Sequence, residues 1–169
     1  MSDTLITVVA IALVATTIFV IPLMTTADRV DDITKTKVEA IVSNFVNEIQ
    51  TSRKISQENY DKFTQDLNSL GYKFDTSMEV RQLDENPGKK TSQTAKDKIG
   101  ENVYYSEYTT QIMQELEKSG VKDLKSGDIV LVTVSNENKT LAKQLRSLMY
   151  KVVGSDTADV VASKAGMVQ

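Results

Sequence analysis

The longest apolar stretch of the chain lies close to its start. Leu5–Met24 is a run of twenty residues without a charged side chain. A helix rises about 1.5 Å per residue, so a run of this length reaches the roughly 30 Å that the hydrocarbon core of a bilayer requires. The run therefore predicts a membrane-spanning helix.

A cleaved secretory signal is the alternative interpretation of this run. Signal peptides begin with positive charge and have an apolar core of about 7–15 residues, whereas Asp3 is the charged side chain before this run. The small residues Thr25–Ala27 leave a cleavage site open. Because the run is long and its start is not basic, we expect a retained anchor.

Helical periodicity continues beyond the apolar run. No Gly or Pro occurs between Leu23 and Ser56, and apolar residues recur at a spacing near 3.6. The pattern predicts one helix from about residue 4 to residue 53. We divide this first region, residues 1–54, into a membrane-spanning part, 5–24, and an amphipathic part, 25–54. The apolar positions of the amphipathic part are Val30, Ile33, Val38, Ile41, Val42, Phe45, Val46 and Ile49.

Pro22 lies inside the predicted helix. Proline removes one backbone donor and clashes with the carbonyl four residues earlier, so it kinks or loosens a helix. Threonine hydroxyls can satisfy freed groups in a membrane, and Thr16 and Thr17 precede the proline. We interpret Pro22 as a kink at the membrane interface; the alternative is a soft point in a helix that repacks on assembly.

The remaining residues, 55–169, predict a globular α+β head whose small sheet packs on the amphipathic part of the long helix. Ser56 is a candidate helix N-cap, with Ile55 and Tyr60 spaced as a hydrophobic staple, and Gly71 ends that helix. Alternation and β-branched residues mark the strands. The further elements are a strand over 72–81, a loop over 84–98, a helix over 106–119, a strand over 129–135, a helix over 140–153 and a strand within 158–168.

Composition restricts the chemistry of the head. The chain contains no Cys, His or Trp and has a net charge of −3. The usual general base near neutral pH and the commonest metal ligand are therefore missing, and no basic stripe indicates nucleic-acid binding. No Gly-rich phosphate loop or nucleophile elbow occurs. We expect a protein that is not an enzyme and has no cofactor, no metal, no nucleic-acid partner and no small-molecule substrate.

Two clusters are candidate contact sites. Asp28, Asp31 and Asp32 share one helix face just after the apolar run; they could hold a hard cation, and a solvated face is the interpretation that we favour. Tyr104, Tyr105 and Tyr108 are half of the six tyrosines of the chain. They form either a binding or subunit-contact patch or part of the core with hydroxyls reaching solvent, and Tyr104 and Tyr105 could also belong to a short strand before the third helix.

The chain resembles the type IV pilin superfamily in its first helix. The resemblance rests on VVAI at Val8–Ile11 and on the pair Ile21-Pro22. The C-terminal pattern is similar to that of TadE-like pseudopilins, with a GD-I-VLVTVS strand at Gly127–Ser135, an apolar segment at Leu141–Val153 and a closing strand of small residues near Ala158–Val168. Two family features are missing: a basic leader that ends in Gly, and a clear match to the Glu at the fifth mature position, for which Asp3 is the nearest acidic residue.

The resemblance implies a pilin-like fold, in which a long helix anchors the subunit in the membrane and later forms the core of a filament. It implies a structural subunit of a bacterial surface filament, a type IV or Tad pilus, or of a secretion-type complex, with membrane lipid and further copies of the chain as partners. A single-pass anchored binding or adaptor domain that does not polymerise is the alternative function. The residues that we expect in the membrane and assembly helix are Ile6, Val9, Ala10, Leu13, Val14, Thr17, Val20, Ile21 and Pro22.

The side of the membrane on which the head lies is a further expectation. Arg29, Lys35 and Lys37 follow the apolar run and no Lys or Arg precedes it, so the positive-inside rule places the head in the cytoplasm. A pilin-like subunit requires the head outside. Because the helical pattern covers far more of the chain than three charges do, we expect a head outside the cytoplasm, on the cell membrane or in an extracellular filament.

Overall fold

The structure is a computed structural model that describes residues 2–84, 103–138, 140, 143–144 and 160–169. The chain divides into two compact units. The first contains Met1–Thr36 together with the described residues of Lys139–Thr157, and the second contains Lys37–Asn138 and Ala158–Gln169. The predicted helix over 140–153 and the predicted loop over 84–98 lie outside the described residues except for residues 84, 140, 143 and 144.

Helix α1, Ser2–Ser52, is continuous over 51 residues and belongs to both units. The prediction of one long helix from about residue 4 to residue 53 is confirmed. Arg53 ends the helix because it adopts a left-handed backbone with φ of 57°. The Arg53 amide donates to the Ile49 carbonyl at 2.9 Å, and the Arg53 carbonyl accepts from the Leu124 amide at 2.8 Å.

The described residues of the second unit comprise the end of α1, two shorter helices and six strands. The elements after α1 are β1 (Lys54–Ser56), α2 (Gln57–Asn68), β2 (Phe74–Leu83), β3 (Tyr104–Tyr108), α3 (Thr109–Ser119), β4 (Val121–Asp123), β5 (Ile129–Asn136) and β6 (Val160–Met167). Four of the strands form an antiparallel sheet in the order β3-β2-β5-β6, and β1 pairs with β4 in a separate two-stranded ladder. The mixed helix and sheet architecture is therefore confirmed.

The core lies between one face of the four-stranded sheet and the helices of the same unit. Alternate residues of a strand point to opposite faces, and the buried residues of β2 and β5 all belong to the face that also carries Ala162 of β6. The part of α1 after Lys37 buries an apolar stripe in the same cluster, and α2 and α3 add to it. The cluster includes Val38, Val42, Phe45, Val46, Ile49, Ile55, Phe63, Leu67, Met78, Val80, Ile112, Leu116, Val130, Val132 and Val134.

Most of the predicted elements are confirmed, with one correction and two additions. The Ser56 hydroxyl caps α2 by accepting from the Asn59 amide at 3.2 Å, as predicted. The helix predicted over 106–119 begins at Thr109, so the prediction was wrong for Ser106–Tyr108, which belong to β3. Strands β1 and β4 were not predicted. Tyr104–Tyr108 form a strand because they pair with β2, and this pairing outweighs the helical spacing of the local sequence.

Candidate membrane helix and contact surface

The apolar half of α1 exposes its side chains all round. Eleven large apolar side chains between Leu5 and Leu23 have exposed fractions of 49–76%. No residue is buried in the most apolar 18-residue window of the helix. Among the residues that we expected in the membrane helix, Val20 is half-buried and the other eight are exposed. Water does not stabilise such a surface, so this part of the helix requires lipid or another protein.

The free energy of burying these apolar side chains is large relative to the stability of a folded domain. Fully burying a large aliphatic side chain is favourable by about 1.5–3 kcal/mol. Burying eleven such side chains would therefore be favourable by on the order of 20 kcal/mol, and the fold of the single chain does not provide this burial. Helix α1 is long and apolar enough to cross a membrane.

Hydroxyl groups in the apolar run find acceptors within the helix. Each of the threonines at positions 7, 16 and 17 donates to the carbonyl four residues earlier, at 2.7–2.8 Å. An unsatisfied polar group costs several kcal/mol in hydrocarbon, whereas a hydroxyl bonded to its own helix avoids that cost. The threonines therefore do not prevent the run from entering lipid.

Pro22 lies in an uninterrupted part of α1. It offers no amide to the Ile18 carbonyl four residues earlier. The Thr16 and Thr17 hydroxyls, which we expected near this gap, donate instead to the carbonyls of Ala12 and Leu13. The threonines after the proline donate to the carbonyls of residues 21 and 22. These four hydroxyls therefore bond to carbonyls before and after Ile18, and none of the four bonds to the Ile18 carbonyl.

Asp31 makes the contact that joins distant parts of the first unit. The Thr140 hydroxyl donates to Asp31 Oδ2 at 2.6 Å across 109 residues of sequence. The Thr140 carbonyl accepts from the Gln144 amide at 3.0 Å, as in a first helical turn. In the described part of the chain, no group of three or more acidic residues could hold a metal ion. The hypothesis of a cation site at Asp28, Asp31 and Asp32 is therefore not supported.

The three clustered tyrosines lie on β3, an edge strand of the four-stranded sheet. Their exposed fractions are 45% for Tyr104, 45% for Tyr105 and 59% for Tyr108. Because faces alternate along a strand, Tyr104 and Tyr108 share the face opposite the core, and Tyr105 points to the other side. Thus two of the three tyrosines are brought together on one surface.

The face of the sheet opposite the core, here called the outer face, carries an ion pair at its centre. Arg81 Nε donates to Glu79 Oε1 at 2.8 Å, and the Ser106 hydroxyl donates to the same oxygen at 2.7 Å. The hydrogen bonds from Arg81 and then from Ser106 lower the pKa of the Glu79 carboxyl below its usual value. Glu79 is therefore ionised wherever the protein is near neutral pH.

Lys122 of β4 is a buried cation of the second unit. Its side chain is 3% exposed, and its Nζ contacts carboxylate oxygens of Glu107 and Glu115. Burial alone lowers the pKa of this amine, but the hydrogen bonds to the two carboxylates outweigh burial and raise the pKa above its usual value. These three side chains connect β3, α3 and β4.

Alkaline pH should therefore weaken the second unit through Lys122. Because the folded pKa exceeds the unfolded value of about 10.4, this contribution is fully present below that value and is lost as the pH rises through the folded pKa. We expect the free energy of unfolding in urea to fall less between pH 8 and pH 11 in Lys122→Met than in the wild type. The control is Lys62→Met at an exposed position of α2. An equal fall in all three proteins would contradict the assignment.

The comparisons with known proteins add no relative. Neither a protein-family model, nor a curated protein, nor a solved structure matches this chain. The functional conclusion therefore depends on the exposed apolar helix and on the surface of the sheet.

Proposed function

We propose that this chain is a membrane-anchored structural subunit that associates with further copies of itself through the apolar half of α1. The observation that supports this most strongly is the exposure of that half, in which no residue of the most apolar window is buried. A helix with this surface is stable in lipid, and further copies of the same helix offer it an apolar surface of the same kind. We propose no enzymatic role.

The continuation of α1 from the apolar run into the second unit supports a pilin-like or pseudopilin-like subunit. The same helix is apolar and exposed at its start and packs an apolar stripe against the sheet at its end. A single helix that carries both surfaces suits a subunit of a filament or secretion-type complex. The head of such a subunit lies outside the cytoplasm, and this is the location that we propose.

Small residues in the apolar run suit close packing between helices. In lipid, helices associate through close contact and interhelical hydrogen bonds, because lipid tails are as apolar as the side chains. Ala10, Ala12 and Ala15 are exposed and allow backbones to approach. The proposed contact between copies therefore includes this part of the helix.

A non-polymerising adaptor is the second candidate function. The exposed edge strand β3, with Tyr104 and Tyr108 on one face, favours it, because an exposed strand edge and tyrosines are common in binding surfaces. This function uses the same membrane anchor but requires no contact between the apolar helices.

A single cysteine at position 10 distinguishes the two functions. The chain has no native cysteine, so oxidation of full-length Ala10→Cys in vesicles reports only contacts between copies at that position. Self-association through α1 predicts disulfide-linked dimers at position 10 in a higher yield than at a control position outside the apolar run. The control is Lys35→Cys, an exposed position of the same helix beyond the apolar run. Monomers alone at position 10 would favour the adaptor.

A further inference from the structure

Exposed apolar side chains outside the anchor concentrate on one surface. Beyond the apolar run Leu5–Met24, seven large apolar side chains of the described residues are exposed. Four of the seven lie on the outer face of the four-stranded sheet. Scattered exposed apolar residues are ordinary, whereas a contiguous group marks an interaction surface. The four are Leu83, Tyr104, Tyr108 and Met167.

The strand register places these four side chains within three consecutive rows of the outer face, with Leu83 directly opposite Tyr104. Partners directly opposite in an antiparallel ladder have Cβ atoms about 4.5–5.5 Å apart. The register places three consecutive rows side by side on the outer face, which we call the outer patch. Its rows are Tyr104–Leu83, then Ser106–Arg81–Ile129–Met167, then Tyr108–Glu79–Leu131–Ala165.

The charges of the outer patch indicate what it binds. Its two charged residues, Glu79 and Arg81, have opposite signs and lie in adjacent rows. The patch as a whole is neutral, which disfavours an anionic lipid surface or a nucleic acid as the partner. A surface that docks on itself about a two-fold axis must be self-complementary. A carboxylate and a guanidinium near the centre of an apolar patch meet this requirement.

Arg81 retains the donors that such a contact needs. A guanidinium has five N–H donors in a fixed fork. Two of its nitrogens contact Glu79 of the same chain, at 2.8 and 3.3 Å, and the Arg81 side chain is 48% exposed. The remaining donors can therefore reach a carboxylate of another molecule without breaking the pair within the strand.

We propose that a second copy of this chain docks on the outer patch about a two-fold axis, with Arg81 of each copy facing Glu79 of the other. Three rows and four strands measure about 14 Å by 14 Å, which is roughly 200 Å² on each copy. This area is small compared with the roughly 1,200 Å² that a stable interface buries. The contact is therefore weak in dilute solution. It rests on the proposed function, because anchoring in one membrane raises the effective concentration of the two heads.

The test uses full-length protein in vesicles, with one cysteine in place of Ala165 and a short flexible bismaleimide as the cross-linker. Ala165 is exposed and belongs to the outer patch, and the control position is Lys62 on α2, in the other layer of the unit. We expect cross-linked dimers at position 165 and at least about tenfold fewer at position 62, since about 1.4 kcal/mol of specific contact gives a factor of ten. Equal yields at the two positions would overturn the proposal.

Charge variants in the Ala165→Cys background test the geometry itself. E79R places two like charges on each copy, so the yield should fall about tenfold or more. The double variant E79R/R81E restores the arrangement and should restore the yield, and a mixture of E79R with R81E should cross-link between the two variants. A wild-type yield in E79R, or a double variant as poor as E79R while circular dichroism shows it folded, would refute the docking geometry.

Flotation of the same vesicles separates this proposal from the proposed function. Protein that floats with the vesicles but is not cross-linked at position 165 refutes the outer-patch contact and leaves the anchor intact. Protein that does not float refutes the membrane-anchored function.

Discussion

Val14→Asp should abolish the self-association of this chain and weaken its insertion into membranes. Val14 lies in the middle of the apolar run, and its side chain is 58% exposed. A carboxylate at the centre of a spanning helix costs about 2.5–3.5 kcal/mol on insertion scales, which corresponds to roughly a hundredfold change in the equilibrium. The measurement is the fraction of full-length protein that floats with vesicles, followed by cross-linking of the floated fraction.

The matched control is Val30→Asp. Val30 is also an exposed valine of α1, but it lies beyond the apolar run and next to Arg29 and Asp31. We expect the control to float like the wild type. If Val14→Asp floats and assembles as well as the wild type, or if changes in the head impair assembly more than Val14→Asp does, the apolar run is not the assembly element.

Gly166→Ala should destabilise the second unit by about 1–3 kcal/mol, the usual cost of adding atoms to a packed site. A Cβ at Gly166 would lie 2.6 Å from Gln50 Cδ and 2.7 Å from Val46 Cγ1. Gln50 also donates from Nε2 to the Met167 carbonyl at 2.8 Å. The glycine therefore lets α1 pack directly on β6, and the methyl group would separate them. Urea denaturation of the full chain in detergent measures the loss.

A double-mutant cycle checks the cause of this loss. Truncating Gln50 to alanine removes the atoms that the new methyl group meets first. Gly166→Ala should therefore cost less in the Gln50→Ala background, with a coupling energy of about 0.5–3 kcal/mol. Ala165→Ser, at the exposed neighbouring position, should change stability by no more than about 0.5 kcal/mol. Purely additive effects of the two substitutions would contradict the packing explanation.

The first helix and the central strands follow from local pattern. An uninterrupted period near 3.6 predicts α1, and the β-branched run at Ile129–Ser135 predicts β5. Both patterns depend on residues close in sequence. The start of α3 depends instead on distant ones: the Thr109 hydroxyl accepts from the Met78 amide at 2.7 Å and donates to the Met78 carbonyl at 3.2 Å. Since β2 supplies this contact, the local sequence does not reveal it.

The contact surface was only partly predictable. The cluster of tyrosines indicated a candidate patch, but the strand register decides that Tyr104 and Tyr108 join Leu83 and Met167 and that Tyr105 does not. No local pattern encodes such a register between strands that are far apart in sequence. The alternating polar residues of β2 were the available indication that Glu79 and Arg81 share one face.

Lys122 shows a second limit of local pattern. Strand β4 has three residues, too few for a period to be recognised, and lysine is rarely buried. Its burial depends on Glu107 and Glu115, which come from β3 and α3. A buried lysine whose carboxylate partners come from two other elements can be recognised only when the three elements are placed together.

Labelling with a membrane-impermeant maleimide can decide whether Leu5–Met24 spans a membrane and where the head lies. The chain has no native cysteine, so Leu13→Cys reports the apolar run and Lys62→Cys reports the head, each in the full-length protein in intact cells. We predict that position 62 reacts in intact cells and that position 13 reacts only after detergent is added. Labelling at position 62 only after the cells are permeabilised would place the head in the cytoplasm. Labelling of position 13 in intact cells would contradict the membrane-spanning helix.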